Sequence, residues 1–200
     1  MAGEARVPFV GLTGGIAAGK SEALRALEQA GAATLSSDDV VGELLTTGDV
    51  RDALVERFGG EVAPNGVLDR SAVAEVVFAD PEKLKWLEGL LWPRVGERIA
   101  EWREGLEHED PRPRAAVVEV PLLFESGMEA VFDRTIAVVA DEDVRNERAG
   151  ARGHTGVESR TSRQLSQDEK AQRADIVVRN DGTLEDLRRA LSSALATMEP

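Results

Sequence analysis

Short apolar runs alternate with longer stretches of helical periodicity along this chain. "VPFVGL" (7–12), "AATL" (32–35), "AAVVEV" (115–120), "TIAVVA" (135–140) and "DIVVRN" (175–180) are each too short for a helix. Each predicts a short buried strand bounded by glycine or polar residues. Pro8 is expected at the start of the first strand, where a missing N–H is tolerated. After the first run, "SEALRALEQAG" places Ala23, Leu24, Leu27 and Ala30 on one helical face, with Gly31 as the stop. From Asp39 to about Arg114 the pattern is mostly helical, with Asp69 and Asp80 as helix caps and a polar, proline-bearing loop at 107–114. A polar, arginine-rich stretch spans 141–174. The tail carries Leu184, Leu187, Leu191 and Leu195 with Ala190 and Ala194, an amphipathic helix. Strands separated by helices predict an α/β domain with a parallel sheet. The helical stretch between the second and third strands is too long for a simple crossover. It predicts an inserted subdomain over 40–112 within a single 1–200 domain.

Composition narrows the function more than the fold. With 42% hydrophobic and 30% charged residues, a packed globule is the default. The formal net charge of −13 repels a nucleic-acid duplex or a membrane surface, so neither is an expected partner. No cysteine is present, which excludes thiol nucleophiles and cysteine-ligated metals. The start "MAGEARVPFV" lacks a long apolar run, and no 18-residue apolar stretch follows. A cytoplasmic location is therefore expected.

The spacing Gly14-x-x-x-x-Gly19-Lys20-Ser21 carries the chemistry. It follows a predicted strand and opens a predicted helix, the context a phosphate-binding P-loop needs. Glycines allow close backbone approach. The N–H groups of Gly14, Gly15, Ile16, Ala17, Ala18 and Gly19 and the helix start can then face anionic oxygens. Lys20 supplies charge to the β- and γ-phosphates, and Ser21 offers a hydroxyl to Mg2+. Such a loop implies a nucleoside triphosphate but not the reaction. A regulatory GTPase should show an Asn-Lys-x-Asp guanine reader, and none is present. Asp39-Val-Val-Gly42 matches a short D-x-x-G pattern, but no apolar strand ends directly at Asp39. A small-molecule kinase needs an acceptor site, which the helical insertion can provide. It also needs a cationic lid, for which Arg145, Arg148, Arg152, Arg160 and Arg163 are candidates over 141–170. Each of those arginines is equally readable as part of a solvated helix face. His108 and His154 lack metal-ligand spacing and read as surface residues, while Trp86 and Trp102 read as helix packing.

Several phrases in order resemble dephospho-CoA kinases. They are "GLTGGIAAGKS", "DRSAVAEVVFADPEKLKWLEGLLWP" (69–93), "VPLLFESG" (120–127) and "QLSQDEKAQRADIVVRNDGTLEDL" (164–187). The resemblance implies a P-loop nucleotide kinase. Its mostly parallel five-stranded sheet would be flanked by helices, with a helical substrate-binding insertion and a lid. It implies transfer of the ATP γ-phosphate to the 3′-hydroxyl of the dephospho-CoA ribose, with ATP and Mg2+ as cofactors. By position, Asp38 matches the family's acceptor-activating aspartate and Arg148 its lid arginine, with Arg152 a second. Asn180 matches an asparagine near the adenine end. Thr13 and Glu22 flank the loop as nucleotide-binding positions, and Glu119 closes the third strand where it can reach the magnesium shell through water. Three departures fall on the acceptor side. Ser36 stands where the family has the first aspartate of an Asp-x-Asp, Trp92 where a histidine precedes proline, and Gly42 where a basic residue is common. The alternatives are a diverged P-loop kinase with another nucleoside-like or small hydroxylated acceptor, and a non-catalytic nucleotide binder. Oligomeric state has no signature in the sequence.

Overall fold

Parallel pairing explains why the apolar runs of the three inner strands are unbroken rather than alternating, because those strands are covered on both faces, whereas the edge strand Ile176–Arg179 leaves Val177 exposed. The computed structural model describes residues 6–151 and 164–198. Five strands form one sheet in the order β2-β3-β1-β4-β5: β1 Phe9–Gly14, β2 Ala33–Ser36, β3 Ala116–Glu119, β4 Arg134–Val139 and β5 Ile176–Arg179. All four pairings are parallel, with Leu12 beside Glu119 on one side and Ile136 on the other. The five expected strands are all present, displaced by one or two residues at their ends. The first starts at Phe9 because Pro8 has no N–H to pair; its carbonyl instead accepts from Ala116 N at 2.8 Å.

The chain divides into two compact units, Ser37–Trp102 and the remainder. In the sheet unit, α1 (Lys20–Gln29) and the C-terminal α8 (Leu184–Ala196) carry their buried residues into one core. Leu27, Leu187, Leu191 and Leu195 meet Val10, Leu12, Val117, Ile136 and Val178 there. Each such fully buried side chain contributes roughly 1.5–3 kcal/mol of transfer free energy. Two further helices, α6 (Glu142–Ala151) and α7 (Gln167–Arg173), lie in the arginine-rich region. Arg152, His154, Arg160 and Arg163 lie outside the described residues.

Both α7 and α8 start at capping boxes, Ser166 with Glu169 and Thr183 with Asp186. The Ser166 N–H and then its hydroxyl hold the Glu169 carboxyl below its ordinary range. The Thr183 hydroxyl and then its N–H do the same for Asp186.

The second unit is helical: α2 (Ser37–Leu44), α3 (Gly48–Phe58), α4 (Arg70–Phe78) and most of α5 (Pro81–Leu106). Asp69 caps α4 by accepting from Ser71 N at 2.8 Å and Ala72 N at 3.3 Å. Asp80 likewise accepts from Glu82 N at 3.0 Å. The helix α5 continues through Pro93, beside which Arg94 Nη1 donates to Leu90 O at 2.7 Å. Among the described residues, no helix is long and apolar enough to cross a membrane.

Candidate active site

The central strand β1 ends between β3 and β4, and its chain turns through residues 15–19 into α1. Crevices at the carboxyl edge of a parallel sheet, where connections leave in opposite directions, are ligand positions in such folds. Two loop glycines are required by specific contacts. A Cβ on Gly14 would run into the backbone carbonyl of Val138 in β4. Gly19 has φ +97° and is the N-cap of α1. A Cβ there would fall on the side-chain amide of Asn180, whose Nδ2 donates to Ala18 O at 2.8 Å. Asn180 is itself fixed by its own N–H, which donates to Val139 O at 2.8 Å. The amide therefore straps the loop from β5. Because the N-cap is glycine and supplies no side-chain cap, the first N–H groups of α1 are left for an anion. Gly19→Ala should weaken ATP binding at least about tenfold: left-handed φ costs about 1–2 kcal/mol for an L-residue, and the strap must also move. Titration with ATP checks this.

Lys20 folds back over the loop, with Nζ donating to Gly15 O at 3.2 Å and Gly14 O at 3.5 Å. Glu119 Oε1 lies 4.0 Å from the same ammonium. Glu119 is buried at the end of β3, where Ser36 Oγ donates to its Oε2 at 3.3 Å. A serine here donates to that carboxylate, whereas an aspartate would set a second negative charge beside it. Ser21 is exposed in the first turn of α1. Beside it, Glu22 is partly buried and pairs with Arg25 at 2.6 Å. An open cleft of about 270 Å3 lies at this end, lined by Gly19, Glu22, Arg148, Asn180 and Leu184 among others.

Thr13 is fully buried. Its hydroxyl donates to Pro121 O at 3.4 Å and accepts from Lys170 Nζ at 3.5 Å. Lys170, in α7, is also fully buried. Its ammonium donates to Pro121 O and pairs with Glu125 Oε1 at 3.1 Å. Glu125 Oε1 in turn accepts from Leu165 N at 2.8 Å. One residue after the Ser166 cap of α7, Gln167 pairs its amide with both backbone groups of Ala140: Nε2 to O at 2.9 Å and N to Oε1 at 3.2 Å. Sequence reasoning missed Lys170, Glu125 and Gln167 as individuals, although all three fall within the phrases "VPLLFESG" and "QLSQDEKAQ".

Within the helical unit, Asp38 and Asp39 are exposed in the first turn of α2, where the helix dipole favours anions. Gly42 is covered by Arg70, whose Nη2 donates to Gly42 O at 2.7 Å. The guanidinium thus occupies space that a side chain at 42 would need. Trp92 is about half exposed, at 49%. Trp86 packs edge-on against Phe58 with ring centroids 5.2 Å apart.

Of the expected site residues, the sheet unit gathers Gly14 through Glu22, Asn180 and Arg148 around one loop. Thr13 is tied into the network below that loop, and Asp38 belongs to the helical unit. Arg152 lies outside the described residues. Among the described residues, no group of three or more His, Asp or Glu side chains could hold a metal. Magnesium bound through phosphates needs no such cage, and the Ser21 hydroxyl in the first turn of α1 is a hard oxygen of the right kind beside the phosphate loop.

A parallel sheet in this order, with a Gly-x-x-x-x-Gly-Lys-Ser loop joining its central strand to a helix, defines a P-loop nucleotide-binding protein. The family profile for CoaE, dephospho-CoA kinase, matches residues 8–186. The dephospho-CoA kinase of Symbiobacterium thermophilum is 38% identical over 191 residues, covering 93% of this chain and 79% of its own. That of Deinococcus radiodurans is 38% identical over 195 residues, covering 95% and 92%. A Thermus thermophilus crystal structure superposes with a TM-score of 0.82 at 34% identity, covering 98% of this chain and 100% of that one. The Campylobacter jejuni dephospho-CoA kinase, at 23% identity and a TM-score of 0.66, shares the fold over 98% of this chain and 99% of its own. The chain belongs to the dephospho-CoA kinase family. It is accordingly an ATP-dependent kinase.

Proposed function

We propose that this chain transfers the γ-phosphate of ATP to the 3′-hydroxyl of the dephospho-CoA ribose, giving coenzyme A and ADP. The observation that carries this reading is the match over residues 8–186 to the dephospho-CoA kinase family, with a fully formed phosphate loop inside it. The loop N–H groups and Lys20 hold the β- and γ-phosphates, Asn180 keeps the loop in shape, and the cleft beside Leu184 takes the base. Mg2+ held through Ser21 and the phosphates would neutralise charge on the transferring group. Asp38 orients the attacking hydroxyl and accepts its proton as the new P–O bond forms. Arg148 adds positive charge beside the loop. The helical insertion, expected at 40–112, would supply acceptor-binding residues.

Ser36, Gly42 and Trp92 favour weighing a second reading, in which the same machinery phosphorylates another nucleoside-like or small hydroxylated acceptor. A coupled ADP-release assay with dephospho-CoA against a panel of nucleosides and sugars separates the two. Strong stimulation by dephospho-CoA alone is expected. Stimulation by another acceptor without dephospho-CoA would overturn the assignment, and ATP binding without turnover on any acceptor would favour a non-catalytic binder. Asp38→Asn should lower kcat about a hundredfold with ATP binding intact, the lower end of acid–base contributions. A nearly silent substitution would move that step to Asp39 or to positioning alone.

A further inference from the structure

Two arginines of α6 flank the phosphate loop, and the geometry distinguishes them. Arg145 and Arg148 are one helical turn apart and share a face, partly buried, while Asn146 and Glu147 between them are exposed. Arg145 Nη1 lies 3.6 Å from the position a Cβ would take on Gly15. Arg148 Nη1 lies 3.8 Å from the equivalent position on Gly19. The pair thus brackets the loop at its two ends.

Each guanidinium also has a donor in waiting. Arg145 Nε and Arg148 Nη1 are enclosed and have no hydrogen-bond partner among the described residues. Neither arginine pairs with a carboxylate among those residues, although the chain carries a net charge of −13 and Glu142, Asp143 and Glu147 lie on the same helix. An enclosed charged donor without an acceptor is costly, and an anion arriving at the loop would relieve that cost.

We infer that Arg145 is a second phosphate-binding cation of the nucleotide site, serving the terminal phosphate from the Gly15 end. This rests on the kinase reading above. The assignment of ends comes from Lys20, the residue type that serves β- and γ-phosphates in such loops. Its ammonium is turned to Gly15 O at 3.2 Å, the end Arg145 approaches. Arg148 instead lines the cleft with Asn180 and Leu184, the side of the base and inner phosphates. The Gln167 side chain, whose Cβ lies 3.2 Å from the same Cβ position on Gly15, is fixed, because it is held by both backbone groups of Ala140. During transfer the bond from the γ-phosphorus to the β–γ bridging oxygen breaks as the acceptor oxygen bonds to phosphorus and its proton passes to Asp38. Arg145 binds the oxygens of the group in flight. Arg148 binds the part of the nucleotide that stays behind as ADP.

The test needs no acceptor. ATP and ADP are titrated separately, in magnesium buffer, into the wild type, Arg145→Met, Arg145→Lys and Arg148→Met. Arg145→Met should weaken ATP about tenfold or more and change ADP by less than about twofold, with Arg145→Lys recovering part of the loss. Arg148→Met should weaken both nucleotides. With acceptor present, Arg145→Met should lower kcat about a hundredfold, the effect of one transition-state donor. If Arg145→Met leaves ATP binding unchanged, or weakens ATP and ADP equally, the inference is overturned. Failure of dephospho-CoA to stimulate ADP release would remove the acceptor assignment, while the nucleotide titrations would still decide the role of Arg145.

Discussion

Lys20→Ala is expected to lower phosphoryl transfer by about 10³-fold or more. The side chain is the one cation built into the loop itself, and its Nζ already lies against the carbonyls of Gly14 and Gly15. Phosphoryl transfer relies on positioning and charge neutralisation, and single well-placed cations in such sites are worth about 10³–10⁵ in rate. Alanine leaves the loop backbone in place, because Asn180 still holds Ala18 O and Val138 still backs Gly14. The variant should therefore remain folded while the initial rate of ADP release collapses. Activity within tenfold of wild type would remove Lys20 from the phosphate site.

The largest effect on stability is expected from Lys170→Met. Methionine retains much of the apolar stem but removes the ammonium that reaches Pro121 O, Glu125 and Thr13. Glu125 then keeps its contact with Leu165 N but loses its counter-charge, and its Oε2 is already enclosed without a partner among the described residues. Removing one member of a buried ion pair costs about 3–5 kcal/mol. For a chain of this size that corresponds to a fall in Tm of roughly 6–20 °C. Adding Glu125→Leu to Lys170→Met should restore much of the loss, since an apolar pair avoids the unpaired charge. Thermal melts of the single and double variants check both statements. A single variant melting within about 2 °C of wild type would show that Lys170 is not an electrostatic keystone.

The sheet and the phosphate loop were legible because each is written in consecutive residues. Buried parallel strands read as the runs "AVVE" and "TIAVV", and the loop's glycines lie at a fixed spacing before a helix. Even the partly exposed edge strand β2 could be read from "ATL". What escaped depends on pairs far apart in sequence. Ser36 meets Glu119 across 83 positions, and Lys170 meets Thr13 across 157. No local period announces such contacts, and a lysine in "QDEKAQR" reads as a solvated helix face rather than the largest fully buried side chain among the described residues. The arginines show the same limit. Spacing alone left Arg145, Arg148, Arg152, Arg160 and Arg163 equivalent, whereas the helix face of α6 separates the first two by the loop end each approaches.

The strap from Asn180 to Ala18 joins the nucleotide loop to a residue 162 positions later in the chain. A ribosome-bound chain that has produced β1 and α1 therefore owns the complete loop sequence without the group that shapes it. Nucleotide that binds the shaped loop would add stability to the state in which β5 has docked. Saturating ATP would therefore stabilise the loop and β5 together, as one folding ligand acting on two segments far apart in sequence.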